Sequence, residues 1–227
     1  MARGVLVLEG KLHGCEARLV RKKDSGIIRV MDDIRNEGRK RFAVAHELGH
    51  WELHGEISQF HVCTEADLRN YSGSNPEIEA NAFAGELLMP SSLLRPLCRS
   101  VEPSLAAIRD IAEKFGTTLT ATAVRFVEEN KEYCLIVFSE NSKVTWWRAK
   151  DKESSSELWI DPRQKIHQDS AAWECFHDGA VVTKMQRVPT DAWFQNLRYT
   201  KRMEVYEQSM KLGNHLAVLT LLWILEE

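Results

Sequence analysis

The chain has 227 residues, 44% of them apolar and 28% charged, with a net charge of −3 and an isoelectric point near 6.3. That length fits one large domain or two small ones with an ordinary core. Residues 1–132 carry 18 basic and 20 acidic side chains and residues 133–227 carry 12 and 13. Neither part has the basic excess that a phosphate-binding surface needs, which argues against direct nucleic-acid contact.

Val5–Leu8, Ala17–Arg21 and Ile27–Met31 read as short strands, with turns at residues 10–14 and at Asp24-Ser25-Gly26. They predict a small antiparallel sheet leading into a helix. An exposed edge of such a sheet can pair with an extended peptide.

Phe42 to His54 has helical character and contains His46-Glu47-Leu48-Gly49-His50, an H-E-x-x-H pattern. Residues four apart share a helix face, so the two imidazoles can reach one metal ion at about 2.0–2.1 Å. Glu47 projects beside the ion, where it can take a proton from the attacking water and pass it to a leaving amine. Gly49 is a poor helix former; close packing against it and simple tolerance are both consistent with its presence. His54 shares the face of His50 but lies two turns, about 12 Å, from His46, which suits an outer-shell or helix-end role rather than ligation. The longer H-E-x-x-H-x-x-G-x-x-H pattern fails, since positions 53 and 56 hold Leu53 and Glu56.

Residues 56–75 form a connection of little periodicity between the candidate ligands. His61, Arg69 and Tyr71 are its candidates for contacting a substrate carbonyl, and Cys63 is a conceivable regulatory thiol.

Pro76 to Met89 predicts a second helix. Ser74 or Asn75 can cap it, Pro76 suits its first position and Pro90 ends it. Catalytic zinc usually takes three protein ligands and keeps one open position. Glu77 and Glu79 are the candidates for the third. Glu77 is preferred, because Asn81 lies one turn on along its face and can support the site; Glu79 suits a carboxylate favoured by the helix dipole. The imidazole-rich donor set favours zinc over manganese on affinity.

Arg41-Phe42-Ala43-Val44-Ala45-His46-Glu47-Leu48-Gly49-His50, followed by Glu77-Ile78-Glu79-Ala80-Asn81-Ala82-Phe83-Ala84-Gly85-Glu86-Leu87-Leu88-Met89-Pro90, resembles the ImmA/IrrE family of bacterial and phage metallopeptidases. The resemblance spans roughly residues 1–130. It implies a zincin-like core and zinc held by His46, His50 and Glu77. It further implies cleavage of DNA-binding repressor proteins, often helix-turn-helix regulators. Some relatives carry a GAF-like sensor domain further along; the remaining stretch here is short for one.

Residues 104–115 and 119–129 predict two helices broken at Gly116. In outline they form a helix-turn-helix. Residues 104–131 carry four basic and four acidic side chains, so packing against the catalytic core is the better reading than DNA binding. Six of the seven tryptophans lie beyond residue 133: Trp146, Trp147, Trp159, Trp173, Trp193 and Trp223. They read mostly as core, with one or two free to face a partner. Tyr133–Ser139 and Lys143–Ala149 predict a hairpin, Gly179–Arg187 a strand, Trp193–Met210 a helix and Leu216–Leu225 a buried strand.

Five cysteines (Cys15, Cys63, Cys98, Cys134 and Cys175) form no C-x-x-C pair and read as buried or free thiols of a reducing cytoplasm. Val5–Leu8 is too short for a secretory leader and Leu216–Leu225 too short to cross a bilayer. The expectation is a cytoplasmic, soluble α+β protein. A zincin-like domain at 1–132 with a small antiparallel sheet would precede a smaller α+β module at 133–227. The expected activity is that of a zinc-dependent endopeptidase: Glu47 as catalytic base, His46, His50 and Glu77 on the metal, and Asn81, Tyr71 and His54 around them. Its expected partner is a protein, with no nucleic acid or membrane. The rival is a silent zincin scaffold that binds a regulator without cutting, against which an intact Glu47 argues.

Overall fold

In the computed structural model, three strands near the start of the chain build one small sheet: β1 (Val5–Gly10), β2 (Ala17–Lys22) and β3 (Ser25–Met31). The described residues are 4–55, 75–150, 158–194, 203–213 and 216–226. His61, Cys63, Arg69 and Tyr71 lie outside them. The sheet order is β1-β3-β2. β2 and β3 form the expected antiparallel hairpin, with Val20 opposite Ile27. β1, however, runs parallel to β3, with Leu6 opposite Ile27. The predicted all-antiparallel sheet is therefore corrected to a mixed one. The chain from Gly10 to Ala17 is long enough to carry β2 past β3 to the far edge, whereas a tight turn would have paired β1 with β2.

One face of this sheet is apolar by alternation. Ala17, Leu19, Ile28 and Val30 are buried against Ala43 and Trp51 of α1 (Glu37–Leu53). Asn36 caps that helix, its side-chain oxygen accepting from the Arg39 amide at 2.9 Å. The indole of Trp51 packs closely on Gly26, where a Cβ would meet it at 2.8 Å. The Arg21 guanidinium covers the same indole at 3.9 Å. α2 (Asn75–Leu88) packs along α1. Arg41 donates to the carbonyls of Phe115 and Gly116, each at 2.9 Å, and so ties α1 to the residues around the Gly116 break.

The chain divides into two compact units, residues 1–91 with 112–118, and residues 92–111 with 119–227. α4 (Leu105–Phe115) and α5 (Leu119–Glu129) match the two predicted helices. Their packing departs from the expectation: Leu105–Ile111 of α4 and the whole of α5 join the second unit, and α5 lies against that unit's sheet. A helix that the sequence reading missed, α3 (Ser91–Arg99), carries Pro96 within it.

The second unit's sheet contains β4 (Cys134–Glu140), β5 (Lys143–Ala149), β6 (Gln186–Val188), β7 (Met203–Lys211) and β8 (Ala217–Glu226). Its order is β5-β4-β8-β7-β6, antiparallel throughout. The β4–β5 hairpin and the buried β8 are where the sequence places them. The Gly179–Arg187 strand shrinks to Gln186–Val188 and an isolated bridge from Val182 to Met210. The helix predicted over Trp193–Met210 is absent among the described residues; Thr190–Ala192 is a 3-10 turn and Met203–Lys211 is a strand. Another short helix, α6 (Ala171–His177), went unpredicted.

The mistaken helix has a physical cause. Alternate residues of β7, Val205, Glu207 and Ser209, point into the core, and two of them are polar, which hides the period-two apolar signal. Their burial is satisfied by hydrogen bonds. The Glu207 carboxylate accepts from Trp193 Nε1 at 2.7 Å, the Ala172 amide at 2.7 Å, Ser209 Oγ at 2.9 Å and Ser170 Oγ at 3.2 Å. Burial pushes the Glu207 carboxyl up from its ordinary range, and the hydrogen bonds from Trp193, Ser209 and the α6 amides oppose that. Glu207→Ala strands these donors in the core. It is expected to destabilise the protein by about 2–4 kcal/mol, read as a lowered Tm.

Trp146 and Trp193 are core and Trp159 is exposed. Cys15, Cys98, Cys134 and Cys175 are buried thiols outside any disulfide among the described residues. Burial, reinforced by the Glu129 charge, pushes the Cys98 thiol up to about 12. No helix among the described residues is long and apolar enough to cross a membrane.

Candidate metal centre

α1 sets His46 and His50 one turn apart on one face, and both are buried. Their rings meet edge to face with centroids 4.7 Å apart, and their Nε2 atoms lie 3.0 Å apart. The third donor arrives from α2. A Cβ on Gly49 would meet the Ala80 Cα at 3.0 Å and the Ala80 carbonyl oxygen at 3.1 Å. The missing side chain therefore lets the two helices approach closely between the two histidines. That approach brings Glu77, in the first turn of α2, to the imidazoles. Its Oε2 is 3.1 Å from His46 Nε2 and its Oε1 is 3.4 Å from His50 Nε2.

These three side chains form a buried group whose donor atoms lie within 4.8 Å of one another. These spacings of 3.0–3.4 Å are each close to the edges of a tetrahedron around an ion, with the two Glu77 distances running to different carboxylate oxygens. For metal–ligand distances near 2.0–2.1 Å those edges are about 3.3 Å. The residues therefore fit a metal such as zinc. Burial acts to raise the Glu77 carboxyl, but hydrogen bonds and charge from His46 and His50 outweigh it and hold the group well below the usual carboxylate range.

The surrounding polar groups orient the rings. Asn81 Oδ1 lies 2.9 Å from His46 Nδ1. A ring that donates from Nδ1 keeps its Nε2 lone pair for the cluster. His50 Nδ1 lies 2.9 Å from His54 Nδ1. His54 Nε2 in turn lies 2.9 Å from Glu79 Oε2. Glu79 thus meets His54 and stands outside the three-donor group. Glu47 is buried at the next position after His46. The sequence reading placed Asn81 and His54 near the site but did not pair Glu79 with His54. The spacing of His50 and His54 hinted at the first contact; the second depends on how α1 and α2 dock.

No curated protein matches the chain by sequence. A solved structure of a Mycobacterium tuberculosis transcriptional regulator resembles it with a TM-score of 0.59 at 13% identity. The alignment covers 96% of this chain and 64% of that one, so this chain spans less than two thirds of the neighbour. At that identity the likeness is one of fold, in agreement with the α+β class expected from the sequence. The family model of the IrrE N-terminal-like domain, Peptidase_M78, matches residues 1–127. Because that match spans more than half of the chain and contains both histidines and Glu77, the chain belongs to the Peptidase_M78 family.

Proposed function

We propose that this protein is a zinc-dependent endopeptidase that cleaves a regulatory protein such as a helix-turn-helix transcriptional repressor. The observation that carries this reading is the buried His46–His50–Glu77 group, its donor atoms within 4.8 Å of one another, directly beside Glu47. When bound, zinc supplies Lewis acidity that polarises a peptide carbonyl and acidifies water. His46, His50 and Glu77 hold it. Asn81 and His54 fix the tautomers of the two imidazoles. Glu47 takes the proton of the attacking water and returns it to the leaving amine. An extended substrate can add to a sheet edge, and β2 is an edge strand among the described residues, beside α1.

A regulatory protein as substrate follows from the family resemblance, and the name of the structural neighbour accords with a regulator-related role. On this reading residues 1–132 are the catalytic module of a cytoplasmic protein, and residues 133–227 serve sensing or partner binding. Zinc ranks ahead of manganese because imidazole donors favour it.

Metal analysis of the purified, untagged protein tests the site. One zinc per chain is expected in the wild type and none in Glu77→Ala. A folded wild type that refuses added zinc would overturn the reading and leave a binding scaffold.

A further inference from the structure

We infer that His54 and Glu79 form a relay that positions His50 and strengthens its hold on the metal, an inference that rests on the metal site proposed above. The geometry is a continuous line of polar contacts. His50 Nδ1 meets His54 Nδ1 at 2.9 Å, and His54 Nε2 meets Glu79 Oε2 at 2.9 Å. Only one proton arrangement satisfies every member while leaving His50 Nε2 free for an ion. His50 donates Nδ1–H to the lone pair of His54 Nδ1, and His54 donates Nε2–H to the Glu79 carboxylate. A carboxylate at the end of the line polarises His54. His54 then draws on the His50 N–H and makes the opposite nitrogen a better donor, as a carboxylate does directly in many histidine–metal sites.

Three further observations show that His54 is held in place. It caps α1, its backbone N–H donating to the His50 carbonyl at 3.1 Å. Arg21 of β2 donates to the carbonyls of Trp51, at 2.5 Å, and Gly55, on either side of it. Finally, the His54 side chain is 11% exposed while that of Glu79 is 57% exposed, so the line runs from the buried ligand out to solvent. Glu79 stands two positions from Glu77 on α2. The relay therefore joins the end of α1 to the first turns of α2, the two segments that supply the donors.

An ordinary surface ion pair between two helices would leave metal affinity unchanged; a relay would not. The test is zinc affinity, measured by competition with a chromogenic chelator, for wild type, His54→Ala, Glu79→Ala, Glu79→Gln and the double alanine variant. Circular dichroism of each variant checks the fold. His54→Ala is expected to weaken zinc binding by about 10–100-fold, in line with the loss of other outer-shell partners. Glu79→Ala is expected to weaken it by about 10-fold. Glu79→Gln should fall between Glu79→Ala and wild type, because the amide oxygen still accepts from Nε2–H but lacks the charge. The double variant should be no weaker than His54→Ala alone, since Glu79 acts only through His54. Cobalt-substituted His54→Ala should also show a shifted d–d band.

Unchanged affinity in both single alanine variants of a zinc-binding wild type would overturn the relay and leave the metal site standing. So would fully additive losses in the double variant. A wild type that takes up no zinc would overturn both.

Discussion

Glu47→Gln is expected to keep its zinc and lose peptide cleavage. The substitution preserves shape and volume at a buried position, and Glu47 is not one of the three clustered donors, so the proposed metal-binding group stays intact. What it removes is a group that can take a proton. General-base catalysis contributes about 10²–10⁴-fold to rate, and the loss should fall in that range. The measurement is digestion of a complex peptide library, read by mass spectrometry, with the wild type identifying the cleaved bonds. Zinc content is determined on the same samples. Cleavage by Glu47→Gln at the wild-type rate would sink the mechanism. A silent wild type that still carries zinc would favour the scaffold reading.

Gly49→Val should damage both stability and metal binding, although valine is a better helix former than glycine. The gain in local helix propensity is a few tenths of a kcal/mol. Against it stands the contact with α2, where even a Cβ would sit 3.0 Å from the Ala80 Cα and 3.3 Å from the Phe83 Cβ. Two of the three nearest atoms, the Ala80 Cα and its carbonyl oxygen at 3.1 Å, are backbone, so the helices must separate rather than a side chain rotate. Overpacking of this kind costs about 1–3 kcal/mol. Separation also carries Glu77 away from both histidines, so zinc affinity should fall together with Tm. A variant with reduced Tm and wild-type zinc affinity would show that α2 can tilt about Gly49 without moving Glu77. A variant with wild-type values for both would show that the close approach is dispensable.

The legible part of this protein is the part written in short-range spacing. H-E-x-x-H needs only one helical turn to bring two imidazoles together, and the flanking residues say that the turn is helical. The Pro76 and Pro90 boundaries of the second helix are equally local, as are the β4–β5 hairpin and the apolar run of β8. Among the readings that failed, two show most directly how tertiary context outweighs local pattern. The parallel pairing of β1 with β3 depends on where the chain returns after Gly10, which no residue pattern within β1 records. The Met203–Lys211 strand reads poorly because Glu207 and Ser209 sit at inward positions, tolerable only because Trp193, Ser170, Ala172 and Thr220 come from elsewhere to bond them.

The metal group shows the same division. His46, His50 and Glu47 were fixed as candidates by a repeat of 3.6 residues per turn. Glu77 and Glu79 remained competitors in the sequence, because both lie in the first turns of one helix and both suit its dipole. Their partners were settled by the rotation of α2 about its axis and its depth against Gly49. Those put Glu77 on the two imidazoles and Glu79 on His54. The sequence by itself determined which residue types could do the chemistry and which helix would carry them. Only the tertiary structure decided which carboxylate meets which histidine, because helix rotation is set by packing between distant segments, not by spacing along either one.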